Sequence, residues 1–172
     1  MFLNFLKNFS IKKNVKKSLS DTVPNHADRK IHTVGLLIDE THFIEKEALI
    51  KKITDRGIAL NQVQIVVYRE KKRKSDVYLY PTFTRKDIGW KGKNKNESVA
   101  AFIAQEFDML ISYYDTEKAP LLYVTNASIA RFKVGFSTVD KRLNHFMIHS
   151  NVENYKVFTE ELFKYLKILN KI

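Results

Sequence analysis

The sequence FDMLISYYDTEKAPLLYVTNASIARFKVGF, residues 107–136, decides the fold because it contains a strand, a crossover helix and a second strand with little sequence between them. Residues 107–114 are a short apolar run, typical of a strand buried on both faces. Residues 115–131 have the length of a helical crossover, and Pro120 suits a first helical turn. Residues 133–136 then predict a second strand, parallel to the first.

Apolar runs elsewhere repeat this alternation. Further strands are predicted at residues 31–38, 63–68 and 145–149, and helices at residues 42–56, 96–106 and from about residue 151 to the end. Strand–helix–strand units in one sheet form right-handed crossovers, so the sequence predicts a single α/β domain. We expect a flavodoxin-like or Rossmann-like fold with a mostly parallel sheet of about five strands.

Helix starts are predicted from capping residues. Thr41 and Asn96 carry side chains that accept hydrogen bonds at helix N-termini, and Ser150 with Glu153 matches a capping box.

The composition excludes several classes of protein. A chain of 172 residues with 44% hydrophobic content can bury a core, and one domain is expected. The chain has no cysteine, which excludes disulfides and thiolate chemistry. No apolar run approaches the roughly 18 residues of a membrane span, and the N-terminus lacks the order of a signal peptide, so we expect a cytoplasmic protein.

The net charge of +11 is concentrated in two segments. Residues 1–30 hold seven Lys and Arg against two Asp, and residues 69–95 hold ten against three acidic residues. This placement predicts two surfaces for an anionic partner. We divide the chain into a basic amphipathic helix (1–20), a linker (21–29) and an α/β domain (30–172) with a long basic loop (70–96).

The N-terminal helix combines aromatic and basic residues. In one interpretation, the helix packs its phenylalanines on the domain and leaves its lysines in water. In the other, the phenylalanines insert into a membrane interface or a partner groove while the lysines contact phosphates. The candidate residues of this arm are Phe2, Phe5, Phe9, Lys12, Lys13, Lys16 and Lys17.

The basic loop is long for a compact domain, which is typical of a functional or disordered segment. It contains a possible edge strand at residues 77–80, ended by Pro81. Gly89 and Gly92 bracket the only tryptophan, Trp90, which either stacks on a base or plugs the sheet edge. The candidate anion-binding residues are Lys72, Arg73, Arg85, Lys86, Trp90, Lys91, Lys93 and Lys95. The alternative for the lysines and arginines is that they are only solvated.

Catalytic signals are few. Asp39 and Asp115 each follow a predicted strand, so they are expected at the carboxyl edge of the sheet. There they either bind a ligand, such as Mg²⁺ or a ribose hydroxyl, or cap the helices that follow. The chain has no G-x-G-x-x-G or Walker-type phosphate loop. His145 and His149 form a pair without an evident third ligand. We therefore predict no catalytic residue, no metal site and no cofactor.

Three motifs carry a resemblance to known proteins: KDIGWKGK (86–93), FD with LISYY (107–114) and ARFKVG (130–135). Through them the chain resembles an uncharacterised family of small flavobacterial (Bacteroidota) proteins, which implies an origin but no mechanism. FDMLI (107–111), a helix and RFKVGF (131–136) are also similar to the N-terminal half of heptosyltransferase-type glycosyltransferases. This second resemblance covers about 30 residues and implies a glycosyltransferase-like half-domain.

Two classes of function follow from these patterns. The first is a non-catalytic protein that binds RNA or the ribosome through the basic loop and the N-terminal arm. The second is a small enzyme or ligand sensor that works at the carboxyl edge through Asp39 and Asp115. A membrane-surface adaptor is a further alternative. We favour the first class because it accounts for the placement of the charges.

Overall fold

Strands and helices alternate along the chain. The computed structural model describes residues 2–19, 30–72, 75–89 and 95–172, with side chains from Asn8 onward in the first segment. The strands are β1 (Val34–Asp39), β2 (Val63–Tyr68), β3 (Thr82–Phe83), β4 (Met109–Tyr113), β5 (Phe132–Phe136) and β6 (Phe146–Ile148). The helices are α1 (Phe2–Ser18), α2 (Lys46–Thr54), α3 (Glu97–Ala104), α4 (Ala119–Ala127) and α5 (Tyr155–Ile168).

The six strands form one sheet in the order β3-β2-β1-β4-β5-β6, and every neighbouring pair is parallel. This is the strand order of the Rossmann fold, so the predicted fold class is confirmed. All residues of β1, β4 and β5 are buried. Strands covered on both faces are continuously apolar rather than alternating, which is the pattern that the sequence shows.

Two apolar layers lie on opposite faces of the sheet. Leu36 and Phe158 belong to the layer under α2 and α5, whereas Leu37 and Phe102 belong to the layer under α1, α3 and α4. Successive residues of β1 therefore enter different layers, as the period of a strand requires.

Helix α1 lies against α4. Ile11 and Val15, one turn apart, are 2% and 4% exposed within the second apolar layer, whereas Phe9 is 59% exposed. The interpretation that the arm packs its phenylalanines on the domain is therefore wrong for Phe9, because a different face of the helix meets α4. The side chains of Phe2 and Phe5 lie outside the described residues.

The prediction of an edge strand at residues 77–80 is wrong. Val77 and Leu79 are 98% and 77% exposed, and the edge strand β3 begins after Pro81. Pro81 lacks an N–H, but its carbonyl accepts a hydrogen bond from the Val67 N–H of β2 at 2.9 Å. A proline can thus lead into an edge strand as well as end one.

Two of the three predicted N-caps are also wrong, and α2 and α5 begin about four residues later than expected. Thr41 donates its N–H and hydroxyl hydrogen bonds to the Asp39 carboxylate, and the Ser150 hydroxyl bonds to a neighbouring backbone carbonyl. Such local bonds compete with capping. The third cap is confirmed, because Asn96 accepts a hydrogen bond from the Val99 N–H at 3.2 Å.

A lysine is buried within the sheet. Lys133 on β5 is 8% exposed, and its ammonium group donates hydrogen bonds to the carbonyls of Thr125 (2.8 Å) and Asn126 (3.4 Å) in the last turn of α4. Burial lowers the pKa of Lys133 to about 8, since desolvation disfavours the charged form. Lys133 therefore loses its proton at a lower pH in the folded protein than in the unfolded chain.

Replacing Lys133 with Met should flatten the pH dependence of stability above pH 8. Between pH 8 and the unfolded pKa of about 10.5, the unfolded chain binds more protons at this site, so the wild-type free energy of unfolding rises with pH. Urea unfolding between pH 8 and 9, below most of the tyrosine ionisation, should show a rise of about 1 kcal/mol in the wild type. Lys133→Met should lose this rise, whereas the exposed-site control Lys164→Met should keep it; equal slopes in all three proteins would contradict the assignment.

Candidate anion-binding site

The carboxyl ends of the strands form the edge at which open α/β folds bind ligands. The chain builds β2 and β3 on one side of β1 and places β4, β5 and β6 on its other side. The direction of winding therefore changes between β1 and β4. This topological switch point lies beside Asp39, the last residue of β1, and Asp115, which closely follows β4.

Both predicted carboxyl-edge residues line one cavity of about 120 Å³ at the switch point, together with His42, Phe43, Tyr114, Thr116, Lys118 and Val152. The Asp39 carboxylate lies 2.8 Å from the Lys118 ammonium and accepts a hydrogen bond from the Thr41 N–H at 3.0 Å. Asp115 accepts a hydrogen bond from the Val152 N–H at 3.2 Å. Neither aspartate is the N-cap of the following helix.

Lys118 is an internal cation at this switch point. Besides Asp39, its ammonium contacts the Thr41 hydroxyl at 2.8 Å and the Glu70 carboxylate at 3.4 Å, and it lies 5.5 Å from the centroid of the Tyr68 ring. Within the described ranges, no group of three or more His, Cys, Asp and Glu side chains could hold a metal ion. A lysine thus neutralises the carboxylate that the sequence suggested as a metal ligand.

A double-mutant cycle on Asp39→Asn and Lys118→Met should measure this ion pair. Because the two side chains are only 10% and 17% exposed, we expect a coupling energy of about 1–3 kcal/mol in chemical denaturation. The exposed pair of Glu161 and Lys164 is the matched control, with an expected coupling below about 0.5 kcal/mol. Additive effects of the two switch-point substitutions would contradict the structural role of Lys118.

A second cavity, of about 550 Å³, opens between α1, the end of β2, the 3₁₀ turn Arg85–Asp87 and the start of α4. We call it the basic cavity. It is lined by Asn8, Phe9, Lys12, Tyr68, Glu70, Lys71, Arg85, Lys86, Glu117, Lys118, Ala119 and Pro120. Five of these side chains are cationic and two are carboxylates, so the lining carries an excess of positive charge.

Helix α1 forms one wall of the basic cavity because its apolar face is fixed on α4. Asn8 and Lys12 are one turn apart, so they lie along the same side of the helix and both reach the cavity. The Lys16 ammonium lies 3.3 Å from the Glu117 carboxylate, and Arg142 donates a hydrogen bond to the Lys16 carbonyl at 3.3 Å. These contacts hold the helix at a defined position beside the start of α4.

The 3₁₀ turn Arg85–Asp87 forms the opposite wall. The Thr84 hydroxyl oxygen accepts a hydrogen bond from the Lys86 N–H at 3.2 Å, and the Asp87 carboxylate accepts one from the Thr84 N–H at 2.7 Å. Ile88, which follows, is fully buried. The turn is thus anchored by its own caps and by the core, while the Lys86 side chain stays exposed.

Two residues that line the basic cavity, Tyr68 and Asn8, each carry a polar atom without a hydrogen-bond partner among the described residues. Tyr68 is 4% exposed, and its hydroxyl makes no hydrogen bond there. Burial, together with the negative charges of Asp39 and Glu70, raises the pKa of Tyr68 to about 12, so the hydroxyl keeps its proton and can donate. The buried side-chain oxygen of Asn8 likewise has no donor. The Tyr68 hydroxyl is therefore a donor in the lining of the cavity, whereas the Asn8 oxygen is buried from solvent and is closed to a ligand.

Not every basic residue near this edge contributes to the cavity. Glu40 forms an ion pair with Arg69, whose Nε lies 2.7 Å from the carboxylate, and with Lys46. Although burial opposes the effect, these hydrogen bonds hold the pKa of Glu40 below its ordinary value. Arg69, one of the basic residues between positions 69 and 95, is therefore paired within the fold.

The structure brings four predicted site residues, Phe9, Lys12, Arg85 and Lys86, into the basic cavity. Four others are exposed outside its lining: Lys13, Lys17, Lys72 and Lys95. Lys16 pairs with Glu117. The predicted residues Arg73, Trp90, Lys91 and Lys93 lie outside the described part of the chain.

Sequence reasoning missed Asn8, Tyr68, Lys71 and Lys118. The sequence contained a signal for Lys118. This residue comes just before the helix start predicted at Pro120, and a helix that starts after β4 begins at the same sheet edge as Asp39. No local pattern marks Asn8 or Tyr68, since the absence of a hydrogen-bond partner depends on the whole fold.

The fold and the site define a Rossmann-like α/β protein with a basic cavity at the carboxyl edge of its sheet. Residues 7–169 match the model of a protein family described as a family of unknown function (DUF6913), and the chain belongs to this family. No curated protein and no solved structure matches the chain. Among the described residues, no helix has the length and apolar character needed to cross a membrane.

Proposed function

We propose that this protein is a non-catalytic polyanion-binding protein whose partner is RNA, free or within the ribosome. One observation carries the proposal: the two segments that hold the excess positive charge meet at the basic cavity. Helix α1 supplies Lys12, and the chain after β2 supplies Lys71, Arg85 and Lys86. Cations from distant parts of the sequence that converge at a ligand-binding edge favour an anionic ligand.

RNA accounts for both the charge and the aromatic content of this surface. Phosphates gain affinity when lysine and arginine displace their counterions, and unpaired bases stack on exposed aromatic rings for about 1–3 kcal/mol each. Phe9 lies in the cavity wall and is 59% exposed. Trp90, Lys91 and Lys93 extend the proposed surface on sequence grounds. From the sequence we also propose that the protein comes from a flavobacterium and that it is located in the cytoplasm.

A ligand sensor or small enzyme at the switch point is the second candidate, and it includes the glycosyltransferase-like half-domain. It is favoured by the common cavity of Asp39 and Asp115. This cavity, however, is small, at about 120 Å³, and Lys118 already pairs with Asp39. The basic cavity therefore supports RNA binding better than the switch-point cavity supports catalysis.

Replacing Lys12, Arg85 and Lys86 together with Gln should weaken RNA binding at least tenfold at about 50 mM salt, because three phosphate-binding cations are lost. We expect the slope of log affinity against log salt to fall in magnitude by about 2 for a single-stranded RNA. Fluorescence anisotropy with an unstructured 20-nucleotide RNA between about 50 and 300 mM salt measures both quantities.

The matched control replaces Lys156, Lys164 and Lys167 with Gln on α5, which covers the opposite face of the sheet. This control has the same net charge and should keep wild-type binding. Neither variant should lose more than a few degrees of melting temperature. Equal losses of RNA binding in both variants would show that net charge alone explains the binding, and would contradict a site at the basic cavity. Wild-type binding to anionic lipid vesicles without binding to RNA would instead establish the membrane-surface adaptor.

A further inference from the structure

An apolar cavity of about 650 Å³ opens beside β2, between α3 and the segment that leads into β3. We call it the apolar groove. It is lined by Leu60, by residues 63–66 of β2, by residues 79–81 and by three residues of α3, and it shares no lining residue with the basic cavity. None of its lining side chains is charged, although 28% of the residues in the chain are.

Several apolar side chains of the groove are open to solvent. Leu60 and Leu79 are 63% and 77% exposed, and Ala101 of α3 is also exposed. Single exposed apolar residues are common, whereas a cluster of them around one cavity is typical of an interaction surface. Because the groove has no cation to neutralise a phosphate, it suits an uncharged ligand rather than a nucleic acid.

The backbone of β2 is open beside the groove. Strand β3 pairs only with Val67 and Tyr68, so within the described ranges no strand lies beside residues 63–66 on that side. The Val67 N–H donates to the Pro81 carbonyl at 2.9 Å, and Ile65, two residues earlier, directs its N–H and C=O to the same side. Pro81 has no N–H with which to continue the ladder. Ile65 therefore presents one backbone donor and one backbone acceptor at the groove.

These two groups select an extended polypeptide as the occupant. A neighbouring strand supplies a carbonyl and an N–H at the spacing that Ile65 requires, whereas a small apolar molecule would leave both groups unpaired. A second copy of the chain fits less well. Two β2 strands paired about Ile65 would exchange only the two Ile65 hydrogen bonds, because Val67 already bonds to the Pro81 side. Each copy also carries a net charge of +11, which opposes self-association.

We propose that the apolar groove binds an extended, uncharged segment of a partner protein, which adds a strand to the open half of β2. The backbone of this segment bonds to the N–H and C=O of Ile65. Its side chains alternate between the two faces of the sheet, against Tyr80 on one face and Phe102 on the other. Four open residues of β2 span about 13 Å, so the segment is four or five residues long. This binding site is separate from the proposed RNA site.

Selection from a display library of random ten-residue peptides against the full chain tests the site. We expect the enriched peptides to share an uncharged run of four or five residues that is rich in β-branched and aromatic side chains. The most enriched peptide, synthesised with capped ends, is then the probe for fluorescence anisotropy. Ala101→Glu should weaken its binding at least tenfold, because the substitution places a charge in the lining. The matched control is Ala100→Glu, at an exposed neighbouring position of α3 outside the lining, and it should stay within twofold of the wild type.

Amide hydrogen exchange, followed by nuclear magnetic resonance, tests for strand addition. In the free protein the Ile65 amide should exchange at least tenfold faster than the Val67 amide, which donates to Pro81. The peptide should slow the exchange of Ile65 at least tenfold. Two versions of the peptide, N-methylated at odd or at even positions, should differ at least tenfold in affinity, because only alternate amides of an added strand face β2.

Three results would overturn the inference, and none of them bears on RNA binding. The first is a selection that enriches no uncharged peptide, or a peptide that Ala101→Glu and Ala100→Glu affect equally. The second is equal affinity of the two N-methylated peptides, which would show apolar adsorption without strand pairing. The third is an Ile65 amide that becomes protected as protein concentration rises, together with a dimer in sedimentation, which would identify a second copy as the occupant.

Discussion

The pairing of β1 with β4 is the constraint on which the rest of the structure depends. Asp108, just before β4, accepts hydrogen bonds from the N–H groups of His32 and Thr33, just before β1, at 3.0 and 2.9 Å. These donors hold the pKa of Asp108 below its ordinary value, although burial opposes them. The two strands therefore start together and run in register, which brings Asp39 and Lys118 to one place at the far edge. The switch point and both cavities follow from that alignment.

Local sequence patterns predicted the parts of the fold that are determined locally. A strand covered on both faces has to be apolar throughout, so β1 and β4 were visible as apolar runs before any partner was known. The helix starts at Thr41 and Ser150 were wrong because each side chain has an equally close partner in a turn, and only the folded backbone decides between the two. The strand order was not predicted, because parallel pairing joins residues that are distant in sequence.

The residues of the candidate site likewise fall into two groups: those that could be predicted from the sequence and those that only the fold identifies. Phe9 and Arg85 could be selected by residue type alone, because an exposed aromatic ring or a basic residue in an irregular segment suits an anionic partner. Tyr68 could not, since its sequence context is that of an ordinary strand residue. Tyr68 lines the basic cavity beside Lys118, and this placement is a property of the whole carboxyl edge. The sequence thus predicts which side chains are present, while the fold determines which of them meet in one cavity.

The construction of the basic cavity links any ligand in it to the position of helix α1. Asn8, Phe9 and Lys12 come from α1, whereas Tyr68 and Arg85 come from the sheet edge and the segment after it. A ligand that contacts both walls binds more tightly when α1 lies on α4 than when it does not. By thermodynamic linkage the ligand must then stabilise the docking of α1 by the same free energy. The contacts that hold α1 on the domain are therefore part of the binding affinity, although none of them touches the ligand.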